Sequence, residues 1–122
     1  MRPSFTGVIA GIAFLSCSVA FGADERNITI YNATGYGIKF IGVNEPDDDD
    51  FSDNELSEVL ADGQSVYVKF NEADSGCKWN IKIDWELPGY ASPLLRNVNL
   101  CGINDIRLTY DKASGNTLYQ TR

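Results

Sequence analysis

Nine carboxylates and no basic side chain fall within residues 45–62: Glu45, Asp47, Asp48, Asp49, Asp50, Asp53, Glu55, Glu58 and Asp62. Oxygen ligands packed this densely suit either a hard cation such as calcium or a basic protein surface. For calcium the candidate ligands are Asp47, Asp49, Asp50, Asp53 and Glu55. For a basic partner the candidate contacts are Asp47, Asp48, Asp49, Asp50 and Asp53 together with Phe51, the aromatic among them. An EF-hand loop started at Asp47 puts carboxylates at several of the required places. It also puts Phe51 at a ligand position and Ser52 where the sharp turn needs glycine, and no helical pattern flanks it, so that motif fails.

Other reactive groups are sparse. The chain has no histidine, which removes His-dependent triads, His-ligated metal and imidazole general bases. Asp84 and Glu86 flank Trp85, but two carboxylates two residues apart on a strand share a face and do not oppose each other across a cleft. No Gly-rich phosphate loop or serine elbow is present. Asn27-Ile28-Thr29 and Asn32-Ala33-Thr34 fit the N-glycosylation pattern, which matters only in a host that glycosylates. No catalytic residues are assigned, and the expected activity is binding without catalysis.

The net charge of -7, from 10 Lys+Arg against 17 Asp+Glu, argues against a nucleic-acid ligand, which needs a basic face. Outside residues 45–62 the chain carries nearly equal numbers of acids and bases, so the acidity belongs to one segment. Four consecutive aspartates repel one another and resist burial, so that segment must lie in solvent or around a cation.

The first 22 residues read as an export signal, with Arg2 before the apolar stretch 7–15 and the small residues Ala20 and Gly22 at a cleavage site. A lipoprotein-type site ending at Cys17 is the weaker alternative, because Phe14 and Leu15 fit poorly before it. The apolar stretch is shorter than a spanning helix needs, and no later segment resembles one. A periplasmic or secreted location follows. Removing the signal leaves Cys77 and Cys101, which in an oxidising compartment are expected to form one structural disulfide.

Residues 23–122 must position these groups as a single domain, for a chain of 122 residues with 43% apolar content holds one core. Apolar side chains alternate with polar ones in seven short runs: 27–31, 36–43, 65–70, 77–86, 94–100, 103–110 and 117–121. Period-2 alternation marks half-buried strands. The expected fold is an all-β antiparallel sandwich of about seven strands, Ig-like or related, with a small closed barrel as the alternative. The apolar phase shifts at Ile41-Gly42-Val43, predicting a bulge near Gly42. Leu56, Val59 and Leu60 are spaced for one or two helical turns. Pro88-Gly89 invites a hairpin with the two cysteines opposed. In that register Trp79 and Ile81 would face Asn99 and Asn97, so either a bulge intervenes or the strands belong to different sheets. An inter-sheet disulfide would satisfy both observations. Trp79, Trp85, Tyr110 and Phe70 read as core aromatics, Trp85 least firmly because it adjoins a loop.

Asn32-Ala33-Thr34-Gly35-Tyr36, Leu60-Ala61-Asp62-Gly63-Gln64-Ser65-Val66, Cys77-Lys78-Trp79-Asn80-Ile81, Val98-Asn99-Leu100-Cys101 and Ile106-Arg107-Leu108-Thr109-Tyr110-Asp111 span nearly the whole of residues 23–122. In these motifs the chain resembles a group of small exported bacterial proteins of uncharacterised function. The resemblance implies an envelope or secreted location, a Cys77–Cys101 bridge and a loop after the second strand that mixes acids with an aromatic, as Asp50-Phe51-Ser52-Asp53 does. It brings no catalytic residues.

The reading is therefore an exported binding or interaction module that meets a partner or cation through residues 45–62. Two alternatives stand beside it: an inhibitor or immunity protein against an envelope hydrolase, by analogy of class alone, and a calcium-stabilised structural module.

Overall fold

The computed structural model describes residues 26–71 and 76–122. The expected export signal, its cleavage site and Cys17 lie outside these residues. Seven strands run in chain order: β1 (Ile28–Asn32), β2 (Ile38–Asn44), β3 (Ser65–Val68), β4 (Lys78–Trp85), β5 (Leu94–Asn99), β6 (Asp105–Asp111) and β7 (Asn116–Thr121). They form two sheets of order β3-β1-β6-β7 and β2-β4-β5. No barrel closes.

Alternation in the sequence becomes alternation in burial. Ile28 and Ile30 of β1, Ile106 and Leu108 of β6, and Ile81 and Ile83 of β4 have no exposed surface at all. These side chains meet between the sheets, and with Ile38, Ile41, Val98 and Leu100 they make one continuous core.

All pairs are antiparallel except one. β1 lies parallel to β6, with Ile30 opposite Ile106, so the four-stranded sheet is mixed and departs from the wholly antiparallel expectation. Parallel neighbours need a long crossover, and here the intervening chain supplies the entire second sheet.

The bulge falls at a different place from the one the apolar phase predicted. Register shifts between Ile38 and Phe40, while Gly42 pairs regularly with Lys82. Gly42 has its own reason to be glycine: a Cβ there would overlap the Phe40 ring, so the ring lies flat on the backbone of the strand's outer face.

β4 and β5 are neighbours in one sheet, so the inter-sheet disulfide is not what forms. The face conflict is resolved by a bulge, since register shifts between Trp79 and Ile81 and Asn97 takes a left-handed φ of 54°. The Asn97 N–H is bonded by Asn80 Oδ1 across the strands at 3.0 Å, which holds this unusual backbone in place. Just beyond the paired Lys78 and Asn99, Cys77 and Cys101 are bridged, and the Leu100 N–H donates to the Cys77 carbonyl at 2.8 Å. Trp79 packs edge-on to Phe70 near this bridge, with centroids 4.9 Å apart. Its indole N–H donates to the Gly76 carbonyl, so the polar atom of this buried ring is satisfied.

Candidate functional site

Residues 51–60 do not form the predicted helical turn. They run beside β2, the outer strand of the three-stranded sheet, and occupy its unpaired edge. The Ser52 and Glu55 N–H groups donate to the carbonyls of Val43 and Ile41. Ser52 Oγ and Asn54 Oδ1 accept the N–H groups of Val43 and Ile41, and Asn54 Nδ2 donates to the Lys39 carbonyl. Leu60 closes the run by exchanging backbone bonds with Ile38. Side-chain oxygens thus stand in for the backbone of a missing strand, which is one way to blunt an edge that would otherwise pair with another chain. Leu56 and Leu60 enter the core while Val59 stays on the surface.

The candidate partner and metal residues divide accordingly. Asp47, Asp48, Asp49, Asp50 and Asp53 are exposed, and Phe51 and Glu55 are half-buried. Asn44, at the end of β2, holds the tip of the loop by donating from Nδ2 to the Asp48 carbonyl at 2.7 Å. Phe51 is not presented at the tip. It turns back over the outer face of the sheet, where the Lys82 ammonium sits 5.8 Å from its ring centroid, within cation–π range. Glu55 instead accepts a hydrogen bond from Ser52 Oγ. Among the described residues no three His, Cys, Asp or Glu side chains gather as a metal-ion site. Within the calcium set Asp47, Asp49, Asp50, Asp53 and Glu55, the four aspartates are exposed, while Glu55 is half-buried and bonded to Ser52 beside β2.

The amide of Asn32, in the second glycosylation pattern, is fully engaged. Asn32 is 1% exposed. Its Nδ2 donates to the carbonyls of Tyr36 and Leu60, and its Oδ1 accepts from Thr34 N–H and Thr34 Oγ1. Asn27 is half-buried, with Oδ1 accepting the Phe70 N–H. Both asparagines tie loops to the sheet.

A concave site lies at the other end of the sandwich. A pocket of about 370 Å³ opens between the β4–β5 loop and the β6–β7 turn, beside Tyr36 and Gly37. Three rings make its base. Tyr36 and Tyr110 meet at 5.6 Å with planes 88° apart, Trp85 and Tyr110 at 6.0 Å and 80°, and Tyr36 and Trp85 at 6.3 Å and 75°. Edge-to-face contacts of this kind are favourable beyond their buried area and hold the rings rigidly. Ser92, Asn116 and Thr117 bring hydroxyl and amide groups to the walls, and Ser92 Oγ donates to Asp84. Tyr90 and Leu87, both more than half exposed, stand on the β4–β5 loop at the rim. No lysine or arginine lines the pocket.

Local geometry explains how the pocket is kept open. Gly37 lies so close to Glu86 that a Cβ would strike that side chain and Val59, and the Glu86 N–H donates to the Gly37 carbonyl at 2.9 Å. The chain leaving β4 is thus fixed against the chain entering β2. Trp85 is 9% exposed, so it serves the core on one side and the pocket on the other. Its position next to a loop was the one sequence signal for this site. Tyr90, Ser92 and Asn116 gave none, because turn residues of these types occur in any hairpin. Ile38 pairs with Trp85 at the pocket end and Asn44 with Asn80 at the acidic end, so the length of β2, roughly 20 Å, separates the pocket from the aspartate tip.

Among the described residues no helix is long and apolar enough to cross a membrane. Compared with family models, with curated proteins and with solved structures, the chain finds no match in any of the three.

Proposed function

We propose that the protein is a non-enzymatic, exported binding module that takes a sugar ring of a glycan in the pocket beside Tyr36, Trp85 and Tyr110. The observation that carries this reading is the pairing of rigid aromatic surface with uncharged hydrogen-bonding groups in one concavity. A pyranose ring has an apolar C–H face that packs on aromatic carbon and a perimeter of hydroxyls that needs donors and acceptors. Ser92, Asn116 and Thr117 offer both, and the absence of lining ammonium or guanidinium groups disfavours an anionic ligand. Pockets of this size with few polar groups are ordinary small-ligand sites. The disulfide supports export, since such bonds persist in oxidising compartments.

The test is an NMR titration of the two indole N–H signals with neutral mono- and oligosaccharides up to about 10 mM, a range that reaches millimolar affinity. The Trp85 signal is expected to move and the Trp79 signal, locked on the Gly76 carbonyl at the disulfide end, to stay. Movement of neither signal overturns the reading. Movement with tetramethylammonium but with no sugar replaces the ligand class by an organic cation held through cation–π attraction.

A second reading rests on the aspartate tip. Residues 47–50 are all exposed and are anchored through Asp48 to Asn44, which gives a fixed cluster of negative charge suited to steering a basic protein. Replacing Asp47, Asp48, Asp49 and Asp50 by Asn is expected to slow association with such a partner in envelope extract by about tenfold or more at low salt. An unchanged association rate would rule this reading out.

A further inference from the structure

The four strand edges of the two sheets are not equally protected. β2 is covered by residues 51–60. β5 carries Arg96 and is broken by the left-handed Asn97. β3 has four residues and is followed by Lys69. β7 has six residues, Asn-Thr-Leu-Tyr-Gln-Thr, without a charge, a proline or a bulge. Among the described residues nothing pairs with its outer edge. Edge strands with none of these devices are open to pairing with another chain.

The direction of the free groups follows from the β6–β7 ladder. Arg122 and Asp105 exchange both backbone bonds, so alternation turns Gln120, Leu118 and Asn116 toward β6. The N–H and C=O groups of Thr121, Tyr119 and Thr117 then face outward. The side chains of these three share the inner face with Ile106, Leu108 and Tyr110, their partners across the ladder. They extend past the three-stranded sheet, and Tyr119 remains 38% exposed.

This outward set reads Thr-Tyr-Thr, the same in both directions about Tyr119. A two-fold axis through Tyr119 places Tyr119 against its own copy and each Thr117 against a Thr121. Thr–Thr and aromatic pairs of this sort favour adjacent strands. Three residue pairs, each exchanging two bonds, give about six backbone hydrogen bonds with all side chains on their proper faces. Charge does not oppose the approach, because the acidic segment sits along β2 and leads into β3, the strand at the opposite border of the β7 sheet.

We propose that a second copy of this chain occupies the β7 edge, antiparallel and centred on Tyr119, so that two four-stranded sheets join into one of eight strands. The pairing surface is a single strand, smaller than a standard interface, and the association is accordingly weak and concentration-dependent.

Sedimentation equilibrium of the purified protein from about 5 to about 500 µM is the first measurement. The weight-average mass is expected to rise toward twice the monomer mass for the parent chain. For Tyr119→Lys, which sets two ammonium groups face to face, it is expected to stay at the monomer. Register is read with Tyr119→Cys and Leu118→Cys under mild oxidation: Tyr119→Cys should give a reducible dimer beyond the parent background, and Leu118→Cys, opposed to Gln120 of the copy, should give several-fold less. A constant monomer mass for the parent overturns the proposal, as does dimerisation undiminished in Tyr119→Lys. Equal cross-linking at 118 and 119 overturns the register.

Discussion

Replacing both Cys77 and Cys101 by Ser is expected to lower unfolding free energy by about 3.5 kcal/mol, from the entropy of a loop of about 25 residues freed in the unfolded chain. For a domain of this size that corresponds to a melting temperature lower by roughly 15–25 °C, and it is a large fraction of the 5–15 kcal/mol that such domains possess. The loss should be felt first at the end of the sandwich near the bridge, where Trp79, Phe70 and the Gly76 carbonyl meet. Calorimetry and tryptophan fluorescence of the double variant report both effects. A melting temperature within a few degrees of the parent would mean that the reduced chain keeps the two strand ends together without the bond.

A comparable loss is expected from one buried amide. Asn32 makes four hydrogen bonds that link β1 to the turn after it and to residue 60, at the end of the edge cover. Asn32→Ala leaves the buried Thr34 N–H without its acceptor and takes one of two donors from each of the Tyr36 and Leu60 carbonyls, which keep Thr34 Oγ1 and the Ile38 N–H. One unsatisfied buried group at about 1–3 kcal/mol and two lost hydrogen bonds at about 0.5–1.5 kcal/mol each put the cost at about 3 kcal/mol. Urea unfolding should show this as a midpoint lower by roughly 2 M at a slope near 1.5 kcal/mol per M. Thr34→Val removes only one hydroxyl from the same network and should cost about a third as much.

Asn32→Asp adds a pH signature. A carboxylate there faces two carbonyl oxygens and is buried, so its folded pKa lies above the unfolded value of about 3.9. The variant is therefore nearest to the parent below that value, and it loses stability as pH rises toward the folded pKa. A flat difference between pH 4 and pH 7 would show that the site admits water.

Much of the fold was legible because it depends on local alternation. Ile28/Ile30, Ile81/Ile83 and Ile106/Leu108 each define a buried face without knowledge of their partners, so the seven strands follow from period 2, which does not by itself separate a sandwich from a closed barrel. The parallel β1–β6 pair was not legible, since pairing partners are chosen by non-local packing that no short window records. Asn32 was hidden by its company: Asn-Ala-Thr-Gly reads as a solvent turn, and only the three-dimensional return of residue 60 gives the amide its fourth partner. The role of residues 51–60 was obscured for a related reason. Ser52 and Asn54 act through single side-chain bonds to β2, which leave no periodicity in the sequence. The acidity of the segment was evident, while its use as an edge cover was not. The pocket was legible only through Trp85, whose neighbours in the site come from four separate stretches of chain.

The central position of β1 also governs the timing of assembly. It lies between β3 and β6, and its parallel partner begins at Asp105, near the end of the chain. Ile28 and Ile30 cannot be enclosed until β6 has been synthesised, so a ribosome-bound fragment lacking β6 has no route to the finished core. Folding in which long-range pairs come last is slow. A chain built in this way closes late, when β6 comes to lie beside β1.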